Sequence, residues 1–386
     1  MKKILSTGIA SILFISLLQG QVPAAVAAQF PVHFRMQKLS TETFESVGVF
    51  DANGDGIKDL VSGGFCYPGP DYTKRFAVRE VKRTGEYFDD FFTIPLDVNG
   101  DGRIDFIAGG WFGGTIFWYE NTGKYDQLWP EHTIAVIGNL ETARGWDVDG
   151  DGIIEIVPNN IDKPFRFYSL DLDAKGKGKG TFSMHQLHDT QGHGLGFGDI
   201  NKDGRNDFVL AGGWLEAPLK PMTEPWKWHP EFQFDHASIP IVVTDLNKDG
   251  RNDLIVGNGH GYGLNWMEQV AGGKWMRHAI DPYNAQFHTM AWVDITGDKI
   301  PELLTGKRYR GHNDGDDGAF DDYGIYYYQW EGTAFSKQVV SFGALGIGKG
   351  TGNYFEVADL NNDGRPDWVV AGKDGLCIFY NEGQQK

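Results

Sequence analysis

The chain has 386 residues, a formal net charge of −17, 53 glycines and 14% aromatic residues. This composition is that of a globular protein, and the acidity excludes nucleic acid as an expected partner. Two cysteines are too few for a disulfide framework.

The first 28 residues have the three parts of a secretory signal peptide. A basic MKK precedes the apolar run ILSTGIASILFISLLQG, and the small residues of QVPAAVAA follow. This order predicts cleavage after Ala27 or Ala28, so residues 29–386 would form an exported protein, periplasmic or extracellular. No later stretch is apolar for long enough to suggest a membrane span.

A nine-residue pattern, DxNxDGxxD, dominates the rest of the sequence. Its seven copies begin at Asp51, Asp97, Asp147, Asp199, Asp245, Asp294 and Asp359. Short runs of β-branched and aromatic residues flank each copy, and two further runs follow in several units, for example GTIFWYEN and EHTIAVI. Four strands in each repeat of about fifty residues are typical of a β-propeller blade.

The two ends of the repeat region complement each other. The seventh unit supplies three strands and stops at NEGQQK, whereas HFRMQKLS precedes the first loop as an unpaired strand. We therefore predict an all-β, seven-bladed β-propeller over residues 29–386, closed by the N-terminal strand in blade seven. Closure would bring Cys66 near Cys377, either as two buried free thiols or as a disulfide.

The seven loops have the chemistry of calcium sites. Hard oxygen ligands stand at positions one, three, five and nine, position seven offers a carbonyl, and glycine at position six permits the turn. In the sixth loop Thr296 and Lys299 depart from the pattern, so that loop should bind most weakly or not at all. We expect up to seven structural Ca²⁺ ions. The expected ligands are Asp51, Asn53, Asp55, Asp59, Asp97, Asn99, Asp101, Asp105, Asp147, Asp149, Asp151, Glu155, Asp199, Asn201, Asp203, Asp207, Asp245, Asn247, Asp249, Asp253, Asp294, Asp298, Glu302, Asp359, Asn361, Asp363 and Asp367.

A second face is expected opposite the calcium loops. The first strand of each blade ends at its loop, so residues six positions earlier lie at the far end of that strand. These residues are Glu45, Phe91, Glu141, His193, Ile239, His288 and Asn353. Pseudo-sevenfold symmetry brings them toward the axis, and the sequence therefore predicts a polar binding or reaction site at that mouth. The expected substrate-binding residues are Trp111, Arg144, Trp214, Glu216, His260, Arg310, His312 and Glu356.

The segment 312–322, HNDGDDGAFDD, lengthens the sixth repeat. We expect a solvated loop there. Two alternatives are that it covers the mouth or that it binds another cation.

The loop pattern resembles the FG-GAP/VCBS repeat family, whose members fold as β-propellers with calcium hairpins. The motifs HGYGLNW, DPYNAQFH, GKRYRGHND and QGHGLGFGD resemble the propeller part of aldos-2-ulose dehydratase-like proteins. In fungal members cupin domains follow the propeller, so the resemblance covers the propeller alone. It implies a lyase that removes water or another leaving group from a keto-sugar.

The residue types suit elimination on independent grounds. Removal of a proton beside a carbonyl needs a base, an acid for the leaving oxygen and a cation for the enolate charge. His193, His236 and His288 are candidates for base or metal ligand, Tyr262 or Tyr309 for the acid, and Arg308 or Arg310 for the anion clamp. One divalent metal is a possible cofactor at the histidines. The alternative function is a non-catalytic module that binds a glycan or a protein.

Overall fold

The computed structural model describes residues 30–384, and the predicted signal peptide lies outside this range. Within it, antiparallel strands form seven four-stranded sheets, which we call blades 1 to 7. No α-helix occurs among the described residues, and the fold class predicted from the repeats, an all-β seven-bladed propeller, is confirmed. No helix in this range is both long and apolar enough to cross a membrane.

The first strand of the chain, β1 (Val32–Lys38), belongs to blade 7, and the other strands follow in chain order. Blade 1 contains β2 (Gly48–Phe50), β3 (Asp59–Ser62), β4 (Phe65–Tyr67) and β5 (Phe76–Ala77). A separate hairpin then follows, formed by β6 (Arg83–Thr84) and β7 (Tyr87–Phe88). Blade 2 contains β8 (Phe92–Leu96), β9 (Asp105–Gly109), β10 (Thr115–Tyr119) and β11 (Glu131–Val136). Blade 3 contains β12 (Thr142–Trp146), β13 (Glu155–Asn159), β14 (Phe165–Leu172) and β15 (Gly178–His188).

The remaining blades repeat this order. Blade 4 contains β16 (Leu195–Gly198), β17 (Asp207–Leu210), β18 (Gly213–Glu216) and β19 (Lys227–His229). Blade 5 contains β20 (Val242–Thr244), β21 (Asp253–Gly257), β22 (Tyr262–Val270) and β23 (Lys274–Ala285). Blade 6 contains β24 (Met290–Val293), β25 (Glu302–Gly306), β26 (Tyr323–Trp330) and β27 (Phe335–Gly343), with a short 3₁₀ helix at Gly311–Asp314. Blade 7 contains β28 (Glu356–Ala358), β29 (Asp367–Val370) and β30 (Cys377–Gln384), and β1 pairs with β30.

The hydrophobic core lies between neighbouring blades. Seven buried clusters each join two adjacent blades, including one that packs Val369 of blade 7 on Leu60 of blade 1. Because both faces of a blade are covered, its second strand is buried along its length, as in Asp105–Gly109, where all five residues are buried. The sheets are therefore held together around the ring by side-chain packing.

The two cysteines lie in different clusters. Cys66 packs between blades 1 and 2, and Cys377 packs between blades 6 and 7. Both are buried free thiols, so of the two alternatives the disulfide is wrong. Burial raises the pKa of each thiol, which keeps both of them protonated and unreactive.

The strand directions give the propeller two different faces. In blade 4, His193 lies just before β16 and the loop beginning at Asp199 lies just after it, while β17 returns antiparallel. We call the side with the seven loops the loop face, and the side with the starts of the first strands the pocket face. Histidine and metal loop are thus at opposite ends of the same strand.

Candidate functional site

Five histidines meet on the pocket face near the starts and ends of inner strands. We call them the histidine cluster: His193, His236, His260, His288 and His312. The ring centroid of His193 lies 4.5 Å from that of His260 and 5.1 Å from that of His288. His236 lies 4.8 Å from His260, and His312 stacks on His260 at 4.3 Å.

Three neighbouring blades supply these side chains. His193, His236 and His288 precede the first strands of blades 4, 5 and 6, and a parallel bridge joins His193 to His236. His260 and His312 follow the second strands of blades 5 and 6. Since first and second strands run antiparallel, these two kinds of position share one edge of the sheet. The predicted catalytic histidines are therefore brought together by the register of the blades.

A buried carboxylate, Glu141, anchors the cluster from blade 3. Its Oε1 accepts a hydrogen bond from His288 Nε2 at 2.9 Å and lies 3.8 Å from His193 Nε2. Arg308 Nη1 donates to the same oxygen at 3.2 Å, and Arg308 Nε donates to Glu45 at 3.1 Å. Arg308 is buried and holds two carboxylates in place, and it also lines a cavity of about 280 Å³ beside Trp111 and His312.

Burial and charge set the protonation of this group. Burial alone would raise the pKa of Glu141, but the neighbouring His193 and the hydrogen bond from His288 hold it well below its usual value. Burial lowers the pKa of His288 well below its usual value and that of His260 to about 4. Glu141 is thus an anion and the two buried imidazoles are neutral, which are the protonation states that metal ligands need.

Four side chains have the arrangement of a metal centre, and we call them the inner group: Glu141, His193, His260 and His288. Their ligand atoms all lie within 4.8 Å of one another. His193 Nδ1 donates to the carbonyl of Ala237 at 2.8 Å, which directs its Nε2 into the group. That Nε2 lies 2.8 Å from His260 Nε2, a hydrogen-bond distance, so one proton lies between the two nitrogens. A metal ion would replace that proton and hold the nitrogens farther apart. Imidazole and carboxylate ligands suit Zn²⁺ and neighbouring transition metals.

A cavity of about 410 Å³ opens above the inner group. Half-buried Trp111 and exposed His236 form part of its walls. Burial within the cavity, aided by the neighbouring His193, lowers the pKa of His236. His236 is therefore a neutral base at neutral pH, with its ring open to whatever occupies the cavity.

The segment 312–322 lies over this mouth. Lys307 Nζ donates to the carbonyls of Gly318 and Asp321, each at 2.6 Å, and so anchors the segment from inside the protein. His312 has a left-handed φ of 47°, a conformation that is uncommon outside glycine. Most of the segment is exposed to solvent, as expected of a solvated loop, and it also brings His312 and Asp316 to the cavity, which agrees with the alternative that it covers the mouth.

Two predicted binding residues of blade 4 lie away from the cavity. Trp214 is only 4% exposed and stacks flat on His229 at 4.0 Å, because its side chain packs between blades 4 and 5. Glu216 accepts hydrogen bonds from His229 at 2.7 Å and from Lys227 at 3.1 Å. Trp214 and Glu216 were predicted at the mouth, and the structure places both side chains elsewhere.

Arg144 and Glu356 are also misplaced by the prediction. Arg144 is buried, stacks over the ring of Tyr354 at 4.3 Å, and donates to Thr289 Oγ1 at 2.9 Å and to the carbonyl of Ile239. Burial raises the pKa of Glu356 to about 7, against the opposing charge of Arg144. These residues stand three positions deeper along their strands than the cluster residues, so they link blades and do not bind substrate.

The predicted acids and second anion clamp take structural roles. Tyr309 is buried, packs on Tyr323 at 4.2 Å and accepts the N–H of Gly346. Tyr262 is exposed and donates to Asp321 at 2.7 Å, and neither tyrosine lines the cavity above the inner group. Arg310 pairs with Glu86 and Asp314, each at 3.0 Å, and supports the anchored segment.

Three residues of the site were not among the predicted site residues. Glu45 and Glu141 occupy the same register position as His193, six residues before their loops, and that shared position was the signal that identifies them. Asp316 lies outside the repeat register, in the insertion of blade 6, and only the folded chain brings it to the cavity.

Four other histidines belong to the scaffold. Each stacks on an aromatic residue of the neighbouring strand in its blade, with ring centroids 4.0–4.6 Å apart. The pairs are Trp118–His132, Phe167–His185, Trp214–His229 and Trp266–His278. Their repetition from blade to blade distinguishes them from the cluster.

The loop face carries acidic groups that fit a cation. In the third loop, oxygens of Asp147, Asp149 and Asp151 lie within 4.8 Å of one another, and burial and these neighbours raise the pKa of Asp149. The position-nine side chain, Glu155, is buried and accepts the N–H of Val148 at 2.8 Å, so it also closes the hairpin. In four loops an arginine at position seven contacts the carboxylate at position five: Arg103, Arg205, Arg251 and Arg365.

Comparisons with known proteins agree with the fold. Residues 97–158 match the family model of the FG-GAP-like repeat. No curated protein matches the chain in sequence. BBS1N, solved in complex with ARL6DN, has a TM-score of 0.53 at 11% identity over 91% of this chain and 97% of its own. The exotype rhamnogalacturonan lyase YesX has a TM-score of 0.52 at 12% identity over 92% of this chain and 75% of its own.

An Agrocybe aegerita protein that recognises non-reducing terminal N-acetylglucosamine aligns with a TM-score of 0.49. Its identity is 16%, over 77% of this chain and 80% of its own. The structural similarity to BBS1N and YesX, at 11% and 12% identity, shows a shared fold alone, so the function must be argued from the site.

Proposed function

We propose that this protein is an exported carbohydrate-active lyase or dehydratase. It acts by elimination on a keto-sugar or a related glycan in the cavity above the inner group. One observation carries the proposal: a carboxylate and three imidazoles converge within 4.8 Å beneath a cavity of about 410 Å³, and exposed His236 lines the same cavity. A cavity of this size accommodates one or two sugar rings.

The residues divide the work of an elimination. A divalent metal held by Glu141, His193, His260 and His288 would supply Lewis-acid stabilisation of negative charge on the carbonyl oxygen. His236 accepts the proton from the carbon beside that carbonyl at the imidazole nitrogen that faces the cavity.

The leaving oxygen needs a proton donor as well. His312, exposed and also lining the cavity, supplies it when its imidazole is doubly protonated. Trp111 offers an aromatic face for a sugar ring. Arg308 acts through Glu141 and is a positioning residue.

We also propose that Ca²⁺ braces the hairpins of the loop face. Three carboxylates within 4.8 Å in the third loop repel one another, and a divalent cation removes that repulsion. This role is structural, because the loops lie at the far end of the strands from the cavity. The predicted signal peptide supports an extracytoplasmic location for such a Ca²⁺-braced protein.

A substrate screen tests the function. Purified protein with Zn²⁺ is offered a 1,5-anhydro-ketose, a 3-keto-glycoside and a uronate-containing glycan, and the enone product is followed by its ultraviolet absorbance. We expect turnover of at least one of them, reduced 10²-fold or more in His236→Ala and in His193→Ala, as for loss of a general base or a metal ligand. His229→Ala is the matched control, since that histidine stacks in the scaffold and should keep full activity.

The alternative, a non-catalytic glycan-binding module, predicts a different pattern. Saturable binding without product, weakened by Trp111→Ala and unaffected by His236→Ala, would replace the lyase assignment.

A further inference from the structure

His260 presents its two ring nitrogens to two different sets of ligands. Its Nε2 faces His193 Nε2 at 2.8 Å in the inner group. Its Nδ1 faces His312 Nδ1 at 2.9 Å and Asp316 Oδ1 at 3.4 Å. We call His260, His312 and Asp316 the outer group, and their ligand atoms also lie within 4.8 Å of one another.

The protons of this network occupy the positions where metal ions would bind. His193 Nδ1 donates to the carbonyl of Ala237, so the nitrogen that it offers to His260 is an acceptor, and one proton joins the two Nε2 atoms. A second proton, on His312 Nδ1, lies between Asp316 Oδ1 at 2.9 Å and His260 Nδ1 at 2.9 Å. Metal ions bind imidazole by replacing protons at such nitrogens.

We propose that the outer group binds a second divalent transition metal, and that the His260 imidazole bridges it to a metal in the inner group. The inference rests on the proposed function only in taking the inner group as a metal site. Two imidazoles and a carboxylate leave a coordination position open toward the cavity. A bridging imidazole would hold the ions roughly 6 Å apart, farther than the ~4 Å of carboxylate-bridged pairs.

The ligands of the outer group are held in place before any metal binds. The backbone of His260 is fixed by the hydrogen bond from its main-chain N–H to Asn258 Oδ1 at 3.1 Å. Asp316 Oδ2 accepts a hydrogen bond from Gln286 Nε2 at 3.2 Å, which orients the carboxylate as outer-shell partners do in metal centres. Lys307 anchors the backbone of the segment that carries His312 and Asp316.

Glycine at position 259 permits the close packing of the rings. A Cβ there would lie 3.2 Å from His193 Cε1 and 3.2 Å from His288 Cδ2. The backbone next to the bridging residue therefore passes directly against the rings of the inner group. Rigid strands thus fix the ligands of the inner group, and the anchored segment 312–322 fixes His312 and Asp316 of the outer group.

Metal stoichiometry tests the proposal without any substrate. The full chain is stripped of transition metals with dipicolinate in excess Ca²⁺, so that the loop sites stay filled, and is then titrated with Co²⁺. Bound cobalt is counted by equilibrium dialysis with elemental analysis, and electron paramagnetic resonance reports coupling between two ions.

We expect two Co²⁺ per chain in the unsubstituted protein, with the signal of the first ion altered by the second. Asp316→Ala and His312→Ala should each bind one Co²⁺ with an uncoupled signal, and His260→Ala should weaken both positions by 10-fold or more. His229→Ala should bind two. Thermal melting of each stripped variant confirms folding, and Asp316→Asn provides a second, more conservative substitution.

A single Co²⁺ at saturation, or two Co²⁺ retained in both Asp316→Ala and His312→Ala, would overturn the metal pair. Two ions with uncoupled signals that survive His260→Ala would overturn the bridge. Two coupled ions without sugar turnover would leave the pair intact and remove the lyase assignment. Turnover of a sugar by protein that binds a single ion would support the lyase assignment and overturn the metal pair.

Discussion

Arg308 offers a sharp test of how the pocket face is held together. Its guanidinium is 2% exposed and lies between Glu45 and Glu141, whose side chains are 1% and 3% exposed. Replacement by methionine keeps most of the side-chain volume and removes the charge. Two carboxylates then remain in the interior without their cation, and Glu45 Oε2 already has no hydrogen-bond partner.

The size of the effect follows from burial. Removing one member of a buried ion pair costs about 3–5 kcal/mol, because the remaining charge keeps its desolvation penalty. Since two carboxylates lose a partner at once, we expect Arg308→Met to cost at least that much, a fall in Tm of roughly 5–10 °C. Arg310→Met is the matched control two residues away. Arg310 is one-third exposed and pairs with exposed Glu86 and half-buried Asp314, so its loss should cost less than about 1 kcal/mol.

Denaturant unfolding in excess Ca²⁺ at pH 7 measures both variants, and a double-substitution cycle supplies the mechanism. Arg308→Met combined with Glu45→Gln removes one of the stranded charges, so the double variant should recover more than 1 kcal/mol relative to Arg308→Met. Equal losses in Arg308→Met and Arg310→Met, or no recovery in the double variant, would refute the view that burial of the pair sets the cost.

Three further predictions concern other parts of the ring. Burial would raise the pKa of Asp281, but hydrogen bonds, led by that from Lys337, lower it overall. The carboxylate therefore stabilises the fold above its unfolded pKa near 4, and this contribution disappears as the pH falls through the folded pKa. Asp281→Asn should cost about 1–3 kcal/mol at pH 7 by denaturant unfolding, and the difference should shrink as the pH falls below about 4. Gly259→Ala should displace the ring of His193 and weaken Co²⁺ binding about tenfold in dialysis, with little change in the melting of the stripped protein; unchanged affinity would contradict the close packing. Asp149→Asn should raise Tm slightly without Ca²⁺ and reduce the gain in Tm on adding Ca²⁺, and an equal gain would count against a cation in that loop.

The fold was predictable because its signal is local and repeated. Nine-residue loops separated by short apolar runs identify a hairpin without any knowledge of distant contacts, and seven copies at a nearly constant spacing leave few architectures. The hairpin of β6 and β7 and the anchored segment 312–322 were not predictable in this way. Both are insertions outside the repeat, and their conformation depends on tertiary contacts such as those of Lys307.

The site was predictable only in part, since position along a strand and direction of a side chain are different quantities. The register six residues before each loop correctly gathered His193 and His288 at the axis. The same reasoning put Trp214 at the mouth because its strand begins there, but its side chain points between two blades. Hydrophobic pattern alone cannot separate an aromatic residue that stacks on a neighbouring strand from one that lines a cavity.

A propeller places seven equivalent positions around one axis, so function must come from differences among them. The positions that serve the scaffold recur from blade to blade, as the loops of the seven repeats and the aromatic–histidine stacks of blades 2 to 5 demonstrate. At the register of His193, by contrast, the seven residues are two glutamates, two histidines, a phenylalanine, an isoleucine and an asparagine. The polar members interact across the mouth, where His288 of one blade meets Glu141 of another at 2.9 Å. A position near the axis at which the residue differs from blade to blade is therefore a candidate site position. This criterion identifies Glu141 from the sequence, whereas residue type alone did not.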